Sequence, residues 1–125
     1  MNKELVIAGA VGAAGIILAA FGAHALAPET PARLLRAYYT GADLHLAHAP
    51  VLLALALADG NARLSAAFWL ILAGVVLFSG SLYALALLAW RPLGAVTPLG
   101  GVILIAGWAT TAYAGLKSPA RGLSN

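Results

Sequence analysis

Three histidines stand among apolar neighbours: His24 in FGAHAL, and His45 and His48 in TGADLHLAHAP. His45 and His48 are three residues apart, so on a helix their imidazoles project from neighbouring positions of one face. Such a pair can hold a divalent metal. His24 could add a third nitrogen and leave an open position, as a catalytic zinc or another transition metal requires. Two histidines on facing helices could instead ligate a haem. The plainer chemistry is a hydrogen bond from an imidazole N–H to a carbonyl or serine of the next helix. HxxH is a short motif, and no HExxH accompanies it. Asp43, two residues from His45, points away from it on a helix, and with Thr40 it makes T-x-x-D, close to a capping box.

A second polar group is SGSLY, which holds Ser79, Ser81 and Tyr83. Ser79 and Tyr83 are four apart and share a helix face, and Gly80 admits a close neighbour. A serine nucleophile needs a base within hydrogen-bond reach, for which His24 or His48 could serve. Nothing here resembles a nucleophile elbow, however, and no catalytic residue is assigned. The hydroxyls are expected to bond across helices. Thr97 followed by Pro98 reads as a helix start, with Thr97 as the cap. Pro50 cannot donate to the carbonyl of Leu46, so it kinks or loosens the helix there. Neighbours in a membrane usually satisfy such a freed group, a hinge or ion ligand being the functional alternative.

The elements that must position these residues are apolar helices. The chain has 125 residues, is 62% hydrophobic and only 9% charged, with a mean hydropathy of +0.94. Soluble domains carry about 25% charged residues. Runs over 5–26, 40–58, 64–90 and 98–116 are each long enough to cross a bilayer core of ~30 Å, the second only if its helix begins near Thr40 or earlier. The breaks APETP, ADGNAR and RPLGAVTP carry turn signals. The chain therefore reads as one domain over 1–125, an all-α integral membrane protein with four transmembrane helices running up and down. Between the first two spans, PETPARLLRAYYTG predicts a short interfacial helix that either stands alone or runs on into the second span, with Thr30 as cap, Pro31 in the first turn, and Leu34, Leu35 and Tyr38 opposite Arg33 and Arg36. Gly9, Gly12 and Gly15 form a small-residue strip on helix 1 that permits tight crossing. Trp90 and Tyr113 fall where an aromatic belt would lie. The first run exceeds the usual signal-peptide core and is expected to be a retained helix, although AHA at Ala23–Ala25 resembles a cleavage site.

There is no cysteine, so disulfides, thiolate metal sites and redox thiols are excluded. The net charge is +3, but the cations are scattered in the breaks and form no basic stripe, so nucleic acid is not an expected partner. Lys3, Arg63, Lys117 and Arg121 fall on the N-terminal side and Arg33, Arg36 and Arg91 on the other. That slight excess puts both termini in the cytoplasm. Alternating helices bring His24, the start of helix 2 with His45 and His48, the SGSLY segment and Thr97 toward one end of the bundle.

AAFGAHAL, HLAHAPVLLALAL, LFSGSLYALAL and LGAVTPLGGVILIAGW follow in this order across nearly the whole chain. Together they resemble the domain of unknown function 423 family, which takes in YgdD-like bacterial inner-membrane proteins and animal proteins like transmembrane protein 256. The resemblance implies a small polytopic protein of the bacterial cytoplasmic membrane. It also implies recurring polar positions at His24, His48, Ser79, Ser81, Tyr83 and Thr97. The chain departs from the family pattern at Asp43-Leu44-His45 and at Pro50, and those positions are not carried over. Three functions compete. An accessory or structural protein would bind lipid, a second copy or another membrane protein. A small-solute or ion transporter or channel would need an oligomer. A metal, haem or quinone site would use the histidines. Packing glycines and the lack of a catalytic motif favour the first, and an enzyme is not expected.

Overall fold

The computed structural model describes residues 1–58 and 60–118. Arg121, counted above among the charges of the N-terminal side, lies outside the described residues. Four long helices follow one another: α1 (Lys3–His24), α2 (Ala32–Leu57), α3 (Ala62–Leu88) and α4 (Val96–Lys117), with a 3₁₀ turn over Arg91–Ala95 leading into α4. All four are long and apolar enough to cross a membrane. The up-and-down order of four spans is the one the hydrophobic runs and turn signals gave.

Local chemistry sets the helix ends. The Asn2 side chain accepts from Leu5 N at 3.0 Å, and Glu4 sits in the first turn of α1, where an acidic group suits the helix dipole. Gly60 has φ +79°, which lets the chain reverse after α2 without a Cβ penalty. Asn61 then caps α3 by accepting from Arg63 N at 3.0 Å. At the other end of α3, Ala89 takes the left-handed conformation at φ 53°, a place where glycine is usual.

One alternative is settled and two expectations need correction. The interfacial helix does not stand alone, because the chain from Ala32 continues without a break into the second span, making α2 26 residues long. At 1.5 Å per residue that is ~39 Å, so its first turns extend beyond the apolar core and hold Arg33 and Arg36 at the surface. Pro31 stands at the cap position itself, and no side chain caps the helix, so Thr30 does not do so. Nor does Thr97 cap α4. The preceding 3₁₀ turn feeds directly into that helix, which has no side-chain cap, and the hydroxyl of Thr97 is used elsewhere.

Among the described residues α1 packs on α2, α2 on α3 and α3 on α4. α2 and α3 are therefore the centre, and α1 and α4 flank them. Phe68, Ile71 and Val75 of α3 meet Leu52, Leu55 and Ala56 of α2, Ala8 of α1 and Leu104 of α4 in the larger core cluster. Close approach relies on glycine. A Cβ on Gly100 would overlap the backbone of Phe78, and one on Gly74 would strike Leu104, so α3 and α4 cross nearly backbone to backbone. On α1, Gly22 faces the ring of Tyr38, and Gly15 faces His45 and Leu46. The small-residue strip of helix 1 thus serves α2, while Gly9 meets nothing.

Candidate functional site

α2 carries a line of polar and aromatic side chains because Tyr38, Ala42 and His45 recur at helical spacing on its buried face. The His45 ring lies in the space left by Gly15 of α1. Its Nε2 is 2.9 Å from the Val11 carbonyl oxygen, and its Nδ1 is 3.1 Å from the Tyr83 hydroxyl. A carbonyl can only accept, so Nε2 carries the proton and donates. In the neutral ring Nδ1 is then bare and accepts from the Tyr83 O–H. One imidazole therefore joins α1, α2 and α3. Tyr38 adds to the same seam by donating its hydroxyl to the Leu18 carbonyl of α1, and its ring lies 5.0 Å from that of Tyr83. Tyr39 donates to the Gly22 carbonyl at 3.1 Å.

Val11 is the ninth of 22 residues in α1, and His45 is the fourteenth of 26 in α2. The junction thus sits near mid-depth. The sequence pointed to one end of the bundle; the start of α2 at Ala32, at the early end of the expected range, carries His45 deeper.

The three histidines are apart. His24 is exposed in the last turn of α1, thirteen residues beyond Val11 and hence ~20 Å along the helix. His48 turns toward α4. Its Nδ1–H donates to the Leu44 carbonyl at 2.8 Å, and its Nε2 accepts from the Trp108 indole N–H at 3.2 Å. This is the opposite tautomer to that of His45. Among the described residues no group of three or more His, Cys, Asp or Glu could hold a metal ion. The structure thus does not bring His24, His45 and His48 together at one point. The bonds made by His45 and His48 reach different neighbouring helices, so the HxxH spacing does not converge on one point. Asp43 is exposed.

The hydroxyls divide. Ser81 donates to the Phe78 carbonyl at 2.9 Å, so Thr97, 2.7 Å away, donates to Ser81 and ties α4 to α3. Ser79 is buried at 1% exposure, yet its Oγ finds no hydrogen-bond partner. An unsatisfied buried hydroxyl costs about 1–3 kcal/mol. Ser79 lies on the wall of a cavity of about 400 Å³ between α1 and α3, lined by Ala10, Ala14 and Leu18 on one side and by Val76, Gly80 and Tyr83 on the other, with His45 behind. Sequence reasoning singled out Ser79, Tyr83 and His45. It missed Trp108 as the partner of His48, the bonding roles of Tyr38 and Tyr39, and the carbonyls of Val11 and Leu18. Tyr38 stands seven residues before His45 and would have been found by extending the helical spacing back through a continuous α2; the carbonyls leave no signal in a sequence.

The fold and its buried polar junction define a small polytopic membrane protein of four spanning helices. The profile of a family described as "Protein of unknown function (DUF423)" matches residues 18–101, and the chain belongs to that family. It is 43% identical over 120 residues to the UPF0382 membrane protein YwdK of Bacillus subtilis, covering 92% of this chain and 98% of that one. A UPF0382 membrane protein of Haemophilus influenzae is 40% identical over 121 residues, covering 94% and 96% of the two chains. The UPF0382 inner membrane protein YgdD of Escherichia coli is 37% identical over 125 residues, covering 97% and 95%. No solved structure matches the chain at a significant level.

Proposed function

We propose that this protein is a non-catalytic accessory protein of the bacterial cytoplasmic membrane, with both termini in the cytoplasm, and that it acts sideways within the bilayer by binding lipid or another membrane protein. One observation carries this. α1 and α4 flank the central pair and present large apolar side chains outward, Ile16 and Ile17 at 66% and 67% exposure and Val102 and Ile105 at 63% and 70%. Exposed faces of this kind meet either acyl chains or a partner's helices. The buried polar side chains of the junction bond mostly to one another and to backbone, which suits a lock between helices better than a transport path. The name of the Escherichia coli relative supports the inner membrane, and the slight excess of cations that the sequence puts on the side of the termini favours the orientation.

The test is photo-crosslinking in the native membrane. A photoreactive residue placed at Ile16 or at Ile105 is expected to give a discrete, reproducible adduct with a lipid or a membrane protein, while one at buried Leu52 reacts only within the chain. Failure to form adducts at either face, together with solute or ion flux through the purified protein in sealed vesicles, would replace this function with transport.

A further inference from the structure

One polar residue singled out by the sequence has no place in the junction. Asp43 forms no capping box with Thr40, because α2 begins at Ala32 and both residues stand well inside it. Asp43 is exposed, and none of the side-chain hydrogen bonds among the described residues uses its carboxylate. It nevertheless lies at membrane depth. Gly15 of α1 meets His45, and α1 runs nine residues further to His24. Asp43 precedes His45 by two residues, so it sits ~10 Å inside the level where α1 ends. The other neighbour of α2 agrees: a Cβ on Gly41 would meet Ser79 and Leu82, and α3 continues to Leu88. Aspartate lacks the long stem that lets lysine or arginine reach the headgroups from such a depth. An ionisable group here is costly without a partner, and such residues commonly mark a functional contact.

The face around Asp43 is shaped for a helix. Thr40, Asp43, Ala47, Pro50 and Ala54 are all exposed, and their three- and four-residue spacing puts them on one side of α2. Small residues there let a second backbone approach closely. Charge decides what that backbone must carry. Among the described residues the chain has no cation at this depth: Arg33 and Arg36 lie in the first turns of α2, Arg91 in the 3₁₀ turn, and Lys3, Arg63 and Lys117 at the opposite face of the membrane. A second copy in the same orientation would bring only another carboxylate to this level. We infer that the outward face of α2 receives a transmembrane helix of a different protein, one that carries a lysine or arginine ~10 Å inside the membrane surface on the side opposite the termini. The partner's N–H groups donate to the Asp43 carboxylate, and the Thr40 hydroxyl oxygen accepts a further one. The inference rests on the lateral role proposed above and names the chemistry of the protein partner. A phospholipid does not serve, since its charged group stays at the surface and its acyl chains offer the carboxylate no donor.

The experiment uses the full chain in vesicles of phosphatidylethanolamine and phosphatidylglycerol, with defined transmembrane peptides as probes. The peptides share one leucine–alanine sequence and differ at a single position two turns inside the bilayer surface, which holds lysine, leucine, glutamine or glutamate. Energy transfer from the labelled chain to the labelled peptide reads their association. The lysine peptide is expected to associate about ten-fold more tightly than the leucine peptide, the weight of one hydrogen bond to a charged group. Asp43→Asn should bring the lysine peptide down to the level of the glutamine one. Unfolding of that variant in micelles should be unchanged, because the carboxylate has no partner within the chain. Asp43→Lys should switch the preference to the glutamate peptide, a gain that misfolding cannot produce. Equal association of the lysine and leucine peptides, or a lysine preference that survives Asp43→Asn, would overturn the inference. So would Asp43-dependent energy transfer between two copies of the chain, which would make the occupant a second copy. Each of these results leaves the lateral role standing, since crosslinks at Ile16 and Ile105 report on it separately.

Discussion

His45 has two ring nitrogens and one use for each, and that pairing decides what it contributes. Removing the imidazole strands the Tyr83 hydroxyl and opens a void beside Gly15. His45→Ala is therefore expected to cost about 2 kcal/mol in unfolding measured in mixed detergent micelles. Tyr83→Phe leaves Nδ1 without its donor and should cost about 1 kcal/mol. The two losses share one bond, so the double variant should be less destabilised than their sum, by at least ~0.5 kcal/mol. Strict additivity would mean that the His45–Tyr83 bond does not hold the helices. His48→Ala strands only the indole N–H of the exposed Trp108 and should cost less than His45→Ala, about 0.6 kcal/mol. The sequence made the histidines, the serines and Tyr83 conspicuous, because polar groups are rare among so many apolar ones. The family resemblance carried over His48 and left out His45, and spacing could not show which of the two lies at the junction. Three residues separate them, but their partners come from α1 and α3 in one case and from α4 in the other, and which helix stands opposite each ring is a property of packing.

At the level of the helices, the runs of apolar residues and the turn signals were enough to find four spans, since length and hydropathy alone set that requirement. The start of α2 was ambiguous in the sequence, because PETPARLLRAYYTG is polar enough to suggest a separate surface segment. Nothing in it breaks a helix after Pro31, so it simply continues. Pro50 lies well inside α2, and the helix runs through it, as membrane helices allow when neighbours satisfy the freed group. The glycines show which crossings are closest. Gly100→Ala would press a methyl into the Phe78 backbone, where no side chain can rotate away, so α3 and α4 must separate at a cost of about 1–3 kcal/mol. Gly9→Ala meets open space and should lose nothing, since alanine favours a helix over glycine. Unfolding of the two variants in the same micelles checks this, and equal behaviour would mean that the α3–α4 crossing is looser than described.

Taken as a whole, the protein places its N-terminus, the turn before Asn61 and the end of α4 on one side, and the Ala25–Pro31 connection and the 3₁₀ turn on the other. Because the natural chain has no cysteine, single cysteines report topology without background. With the termini cytoplasmic, Glu29→Cys and Arg91→Cys should react with an impermeant maleimide in intact cells, and Arg63→Cys and Lys117→Cys only after lysis. The reverse pattern would invert the orientation and leave the fold intact. Tyr113 fits the membrane interface on the side of the termini. The Arg63 guanidinium carbon and the Lys117 ammonium each lie 5.8 Å from its ring centre, where an aromatic ring and cations meet headgroups. The lateral role is tested most directly by releasing the protein from its own membrane in native-lipid discs and weighing the intact assembly. A mass exceeding the chain by a defined lipid or a stoichiometric protein partner, retained through exchange into clean discs, is the expected result. A bare chain that exchanges every lipid freely and carries no partner would contradict the proposed role.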